Sequence, residues 1–231
     1  MKFIQISGAA GAGKTTVANI LFDKAFESNY IPVILPFAKD LKDEAALMGH
    51  YKDEDSDGYR KFCQQWCSQR REEDEYYWIK KVMDEVLSIK EIELQLRKSK
   101  QDRFEHLIIQ DDVRFMNELI YGREVGAYQL FVTTANRIIP DLFARWRAHE
   151  SEELAYRVEV AKKDYTDIFD EYIENNLDYE SLSEKIEERF YSWITEVEYS
   201  KDPITEMYRE GLKPNEQFVF MSMMFKDKDT L

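Results

Sequence analysis

Short apolar runs alternate along the chain with longer segments in which apolar residues recur every three or four positions. The runs are typical of buried strands, and the spaced segments are typical of amphipathic helices. Strands are predicted at 3–6, 31–37, 106–112, 127–133 and 169–173. Helices are predicted at 17–22, 38–48, 59–70, 76–98, 117–122, 139–163 and 179–197. Because strands and helices alternate, the pattern predicts an α/β fold around a parallel sheet.

A loop of small residues follows the first predicted strand. Gly8, four small residues and then Gly13-Lys14-Thr15 fit the phosphate-binding pattern G-x-x-x-x-G-K-[ST] without a mismatch. Glycines allow the positive φ angles with which consecutive backbone N–H groups wrap a chain of phosphates. The alternative is a Gly/Ala-rich turn between a strand and a helix. The strand before the loop and the helix after it favour a site for a nucleoside triphosphate.

Each position of this loop has an expected role. Lys14 would place its charge at the β- and γ-phosphates, and Thr15 would hold Mg²⁺ through its hydroxyl. The helix that begins here adds the positive end of its dipole. The residues predicted to bind the nucleotide are Gly8, Ala9, Ala10, Gly11, Ala12, Gly13, Lys14, Thr15 and Thr16.

Composition limits the partners. The 231 residues suit one α/β domain with insertions, and 46 acidic against 32 basic residues give a net charge of −14. This charge repels duplex DNA and anionic membranes, whereas a small phosphorylated substrate needs only a few local cations. Two cysteines and three scattered histidines exclude a disulfide scaffold and make no convincing zinc site.

The same composition predicts a cytoplasmic protein. Gly8 ends the first apolar stretch too early for a signal peptide, and the later apolar run at 218–225 is too short to span a bilayer. Cys63 and Cys67 are read as small helix-packing residues.

Carboxylates and an arginine follow the third predicted strand. In an open parallel sheet, ligands bind beyond the carboxyl ends of the strands, where Asp111, Asp112 and Arg114 are expected. Asp112 is predicted to bind Mg²⁺ with Thr15 or to serve the acceptor, and Arg114 is predicted to grip a phosphate. The alternative is a strand-end turn or a helix N-cap. Which of Asp111 and Asp112 faces the metal stays open.

Further candidates for binding the acceptor come from the region after the second strand. Lys39 would meet an acceptor phosphate, unless it is an ordinary solvated lysine. Arg70 and Arg71 are phosphate grips or members of a surface charge network. One of four aromatic residues would stack on an acceptor base, unless all belong to the core, and Trp78 is the one predicted. The four are Trp66, Tyr76, Tyr77 and Trp78.

Arginines at 137, 145 and 147 are candidates for a closing lid. Phosphoryl transfer needs neutralised charge and the exclusion of water, and lid arginines supply both. Arg145 and Arg147 cannot share one helix face, so we expect only one to point inward, and Arg145 is the predicted catalytic residue.

Four segments together resemble the bacteriophage deoxynucleoside monophosphate kinases. Weaker similarity is present in HESE at 149–152 and IENNL at 173–177, and the resemblance covers about 1–195. The four segments are the loop at 8–15, LPFAKDLKDEA at 35–45, CSQRREEDEYYWIKK at 67–81 and DDVRFMNE at 111–118.

The resemblance implies a P-loop NTPase fold with three α/β/α layers. It implies a kinase domain at 1–197, with a helical insertion for the monophosphate at about 39–100 and a lid at about 136–163. The segment 198–231 lies outside the resemblance and is expected to be an extension packed on this domain. Its apolar run at 218–225 suggests a homodimer interface.

The resemblance also implies an activity. Mg-ATP would phosphorylate a deoxynucleoside 5′-monophosphate in the cytoplasm of a phage-infected host. Lys14 and Thr15 would serve ATP and Mg²⁺, Asp112 the metal or acceptor, and Arg114 the acceptor phosphate. Two alternatives remain: a phage kinase that phosphorylates a hydroxymethylated base in DNA, such as 5-hydroxymethyluracil, and a nucleotide-binding module without transfer activity.

Overall fold

The protein is an α/β fold built on five parallel strands. The computed structural model describes residues 1–98, 105–134, 149–160, 168–176 and 178–196. The strands are β1 (Lys2–Ser7), β2 (Tyr30–Ile34), β3 (Glu105–Val113), β4 (Tyr128–Thr133) and β5 (Glu171–Glu174). Their order in the sheet is β2-β3-β1-β4-β5, and all neighbouring pairs are parallel. The predicted fold class is confirmed at this level.

Seven helices lie in the described part of the chain. They are α1 (Lys14–Glu27), α2 (Lys39–Leu47), α3 (Ser56–Glu73), α4 (Tyr77–Lys98), α5 (Met116–Glu124), α6 (Glu153–Val160) and α7 (Tyr179–Glu196). A 3₁₀ turn at Glu150–Glu152 leads directly into α6. None of the described helices is long and apolar enough to cross a membrane.

Two hydrophobic cores cover opposite faces of the sheet. Alternate strand residues point to opposite faces, so Ile108 of β3 joins one core while its neighbours Leu107 and Ile109 join the other. The first core contains side chains of α4, α5 and α6, and the second contains side chains of α1 and α7. This arrangement is compatible with three layers, and it leaves the carboxyl ends of the central strands for a site.

Three buried glutamines cross the centre of the sheet on the α5 side. Gln5 Nε2 donates to Gln110 Oε1 (2.9 Å), and Gln129 Nε2 donates to Gln5 Oε1 (3.1 Å). Gln5 and Gln129 also donate to the main-chain oxygens of Glu118 (3.0 Å) and Leu119 (2.6 Å). These bonds fix α5, and with it the segment that leads out of β3, against β1.

Some predicted boundaries were wrong, for identifiable reasons. Strand β2 ends before residue 37 because Pro36 has no N–H to donate, and the next two N–H groups donate to Asp112. Helix α3 begins at Ser56, before the predicted start at 59, because the Asp55 carboxylate caps it by accepting the N–H of Gly58 (2.9 Å). The lid at 136–163 lies only partly in the described residues, and the extension 198–231 lies outside them.

Candidate active site

The loop between β1 and α1 has the backbone shape that its glycines predict. Gly8 has a φ of 143° and Gly13 a φ of 95°, both in the region that side chains disfavour. Both positions are also crowded, since a Cβ on Gly8 would lie 2.4 Å from the Val132 main-chain oxygen and one on Gly13 would lie 2.1 Å from Asn175 Nδ2. Glycine is therefore required at each position for two reasons: its φ angle is positive, and a neighbouring atom lies where a Cβ would be.

Asn175, directly after β5, anchors the loop from the other side. Its Nδ2 donates to the main-chain oxygen of Ala12 (2.8 Å), and its own N–H donates to Thr133 at the end of β4 (2.8 Å). The loop thus rests on the ends of two neighbouring strands.

Lys14 is folded back over its own loop. Its Nζ donates to the main-chain oxygens of Gly8 (2.7 Å) and Ala9 (2.9 Å), and only 7% of the residue is exposed. Burial, and then the nearby Arg114 charge, lower the pKa of Lys14 to about 8 against the opposing effect of the surrounding carboxylates. A bound polyphosphate would supply the negative charge that this ammonium needs.

The two carboxylates at the end of β3 have different partners. Thr15 Oγ1 donates to Asp111 Oδ2 (2.9 Å), whereas Asp112 accepts the N–H groups of Phe37 (2.8 Å) and Ala38 (2.9 Å). Burial raises the pKa of the Asp112 carboxyl, and these two N–H groups oppose the shift. The structure therefore places Asp111, and not Asp112, against the predicted metal-binding hydroxyl.

A hydroxyl beside a carboxylate fits Mg²⁺ when phosphate oxygens and water complete the shell. No group of three or more His, Cys, Asp or Glu side chains among the described residues could hold a metal on its own. Thr15 and Asp111 would thus hold the ion together with a nucleotide.

Glu152 joins the loop to Arg114. Its Oε1 accepts from Arg114 Nη1 (2.7 Å), and its Oε2 accepts the N–H of Ala10 (3.2 Å). The residue is only 5% exposed. A single buried carboxylate therefore bridges two groups that the sequence predicts to bind phosphates.

Glu118 is the common acceptor of a second cluster of hydrogen bonds, which includes the main chain of Arg114. It accepts from Arg71 Nη2 (2.6 Å) and from the N–H groups of Arg114 (2.7 Å) and Phe115 (3.1 Å). Burial raises the pKa of the Glu118 carboxyl to about 7, against the opposing Arg71 charge. The guanidinium of Arg71 also lies over the Phe115 ring, 3.5 Å from its centroid. This cluster fixes Arg71 beside the end of β3.

A cavity of about 710 Å³ opens from the loop at Ala10 and extends between α2, α3 and α4. Its apolar walls include Phe37, Leu41 and Trp78. Its charged lining residues are Lys42, Lys52, Arg60, Arg71, Arg114, Asp112, Glu118 and Glu152. The volume and the mixture of an apolar wall with converging charges suit a small anionic ligand.

The structure brings only some of the predicted acceptor residues to this cavity. Arg71, Trp78 and Arg114 line it. Lys39 does not, because it pairs with Glu85 on α4. Arg70 does not, because it pairs with Glu73 (3.0 Å) and lies over the rings of Trp66 and Tyr77. Arg137, Arg145 and Arg147 lie outside the described residues.

Several lining residues were not predicted as site residues. Arg60, Gln64 and Cys67 line the cavity from α3 together with Arg71. Their spacing places them on one helix face, and this periodicity could have identified them from the sequence. Glu152 carried a weaker signal, since only the HESE resemblance pointed to its segment.

In comparisons with known proteins, no family model matches the chain and no curated protein matches it either. What the site can do therefore has to be inferred from its residues and their geometry.

Proposed function

We propose that the protein is an ATP-dependent kinase that phosphorylates a deoxynucleoside 5′-monophosphate. The observation that supports it most is the continuity of the site: one cavity is lined by Ala10 of the loop and by Arg71 and Arg114. A site for one nucleotide needs only the loop, whereas a cavity with cations beside the loop suits a second phosphate.

The donor half is assigned to the loop. Its N–H groups and Lys14 would bind the phosphates of ATP, with Thr15 and Asp111 on Mg²⁺. The ion would neutralise charge on the transferring phosphoryl group.

The acceptor half is assigned to the cavity. Arg71 and Arg114 are bidentate donors suited to the acceptor phosphate. Leu41 and Trp78 form part of the apolar wall, but Trp78 is only 2% exposed, so it belongs to the core more than it stacks on a base. The acceptor oxygen is already part of an anion, so it attacks the γ-phosphorus without a general base, and ADP leaves. Catalysis then consists of positioning and charge stabilisation.

The finer fold assignment belongs to the same proposal. The loop follows the central strand β1, and helices α2 to α4 form an insertion between β2 and β3. This supports a P-loop kinase whose monophosphate site lies in that insertion. The lid at 136–163 lies only partly in the described residues, and Arg145 and the run 218–225 lie outside them, so the lid, the role of Arg145 and a homodimer remain predictions.

The test is ADP release measured with each common deoxynucleoside monophosphate, with Lys14→Ala as the control. We expect one or a few acceptors to stimulate turnover, and Lys14→Ala to lower that rate by about 10²-fold or more. A protein that binds ATP without stimulation by any monophosphate would contradict the proposal and favour the nucleotide-binding module. Labelled phosphate transferred to DNA with hydroxymethylated bases would instead favour the DNA kinase, against which the net charge of −14 argues.

A further inference from the structure

Glu152 accepts hydrogen bonds from two groups of the kind that bind phosphate in proteins. Its two oxygens accept one N–H of the phosphate-binding loop and one N–H of Arg114. Backbone N–H groups at such a loop and arginine guanidinium groups are the donors that proteins use for phosphate oxygens. Because Glu152 accepts hydrogen bonds from both groups, it lies between the half of the site proposed for ATP and the half proposed for the acceptor.

We propose that Glu152 is a built-in anion that occupies donors meant for phosphate oxygens and must be displaced when a polyphosphate binds. The inference rests on the proposed function for its biological meaning, but its physical content concerns anion binding alone. In this view Glu152 competes with the ligand for the Ala10 N–H and for Arg114.

The charges around Glu152 explain what such an anion does. Lys14 and Arg114 are close enough that the Arg114 charge lowers the pKa of Lys14, while Glu152 opposes that effect. Glu152 is the carboxylate with the largest offsetting effect on Lys14, ahead of Asp112 and Asp111, so its loss would leave the repulsion between the two cations less compensated. A bound polyphosphate takes over this neutralisation, so the carboxylate is then no longer needed there.

The backbone under Glu152 is held in place, so the exchange needs only the side chain to rotate. His149 caps the 3₁₀ turn by accepting the N–H of Ser151 (3.1 Å), and Glu150 accepts from Ser68 Oγ on α3 (3.0 Å). His149 and Ser151 also line the cavity. The same segment thus contacts α3 on the acceptor side and the loop on the donor side.

The test compares Glu152→Gln with the wild type and with Glu150→Gln, a matched change two residues earlier in the same turn. The probe is inorganic tripolyphosphate without Mg²⁺, titrated by calorimetry at low salt. Glutamine keeps the size of the side chain but removes the competing charge. We expect Glu152→Gln to bind tripolyphosphate about fivefold more tightly, because a larger fraction of the free protein is open to the ligand. Glu150→Gln should bind like the wild type.

Glu152→Asp provides a second, charge-retaining variant. Its shorter side chain reaches only one of the two donors, so its affinity should fall between those of the wild type and Glu152→Gln. Thermal unfolding of each variant checks that the fold is kept.

Equal or weaker binding by Glu152→Gln, or no binding by any variant, would overturn the proposal. Weaker binding would mean that Glu152 holds the loop and Arg114 in their binding geometry. If Glu152→Gln binds more tightly while no monophosphate stimulates the wild type, the built-in anion stands and the kinase assignment fails.

Discussion

Asp111 and Asp112 are adjacent in sequence, yet their neighbours give them separate tasks. The Thr15 hydroxyl donates to Asp111, while Asp112 accepts two N–H groups from the turn after β2. The first contact lies at the proposed donor site, and the second joins residues that line the cavity proposed for the acceptor.

We expect the two asparagine variants to separate these tasks. Asp111→Asn should lower kcat by about 10²-fold and raise the Mg²⁺ concentration needed for half the maximal rate, since it removes a charge beside the ion. Asp112→Asn should raise the acceptor KM and leave the Mg²⁺ requirement unchanged. The measurement is the rate of each variant over a series of Mg²⁺ concentrations. The opposite pattern would show that Asp112 binds the metal, as predicted from the sequence.

Lys14 should take up a proton when ATP binds. Burial lowers its pKa to about 8, and bound phosphates would raise it again. At about pH 8, binding should therefore take up roughly half a proton, and at about pH 6 almost none, because Lys14 is then protonated before binding. Calorimetry in buffers of different ionisation enthalpy measures this number.

Lys14→Arg is the matched control, since arginine keeps the charge and does not titrate in this range. It should bind ATP without proton uptake at about pH 8. An equal uptake by wild type and Lys14→Arg would assign the proton to another group.

Among the elements, α5 depends on a glycine. A Cβ on Gly122 would lie 1.9 Å from Gln5 Oε1, and Gln5 is held by hydrogen bonds to β3, β4 and α5. The helix can approach the sheet this closely only without a side chain at that position.

Gly122→Ala should therefore destabilise the protein by about 1 to 3 kcal/mol, although the same change in an ordinary helix interior stabilises by about 1 kcal/mol. Urea unfolding measures the difference. In a double-mutant cycle, Gln5→Ala should remove most of the added penalty, since it removes the atoms that clash. A stabilised Gly122→Ala would show that α5 moves away without cost.

Elements that follow local patterns were predictable, and their ends were less so. The apolar run of β3 and the phosphate-loop pattern follow from neighbouring residues. The end of β2 depends on Asp112, which is 75 positions away from Phe37. Nothing in the sequence around Phe37 indicates that its N–H donates to this distant carboxylate and not to a neighbouring strand.

Across the whole molecule, the site combines predictable and unpredictable parts for the same reason. Lys14 and Thr15 lie in one motif, whereas Glu152 meets Ala10 across 142 positions. Whether Lys39 or Lys42 faces the cavity depends on the rotation of α2, which is set by its packing on α3 and α4. The chain as a whole carries a charge of −14, yet five basic side chains line the cavity, so overall charge did not reveal the local field.

Because Asn175 anchors the loop, the loop is completed late in folding. Strand β1 is made first but pairs with β3 and β4, whose residues follow about a hundred positions later, as in the pairs Lys2–Leu107 and Ile4–Tyr128. Such long-range pairing slows folding. The hydrogen bond from Asn175 to Ala12, which supports the loop, can form only after β5 has also joined the sheet. The loop between β1 and α1 therefore gains its last support only after the sheet is complete, so the conformation of this loop distinguishes fully folded molecules from partly folded ones.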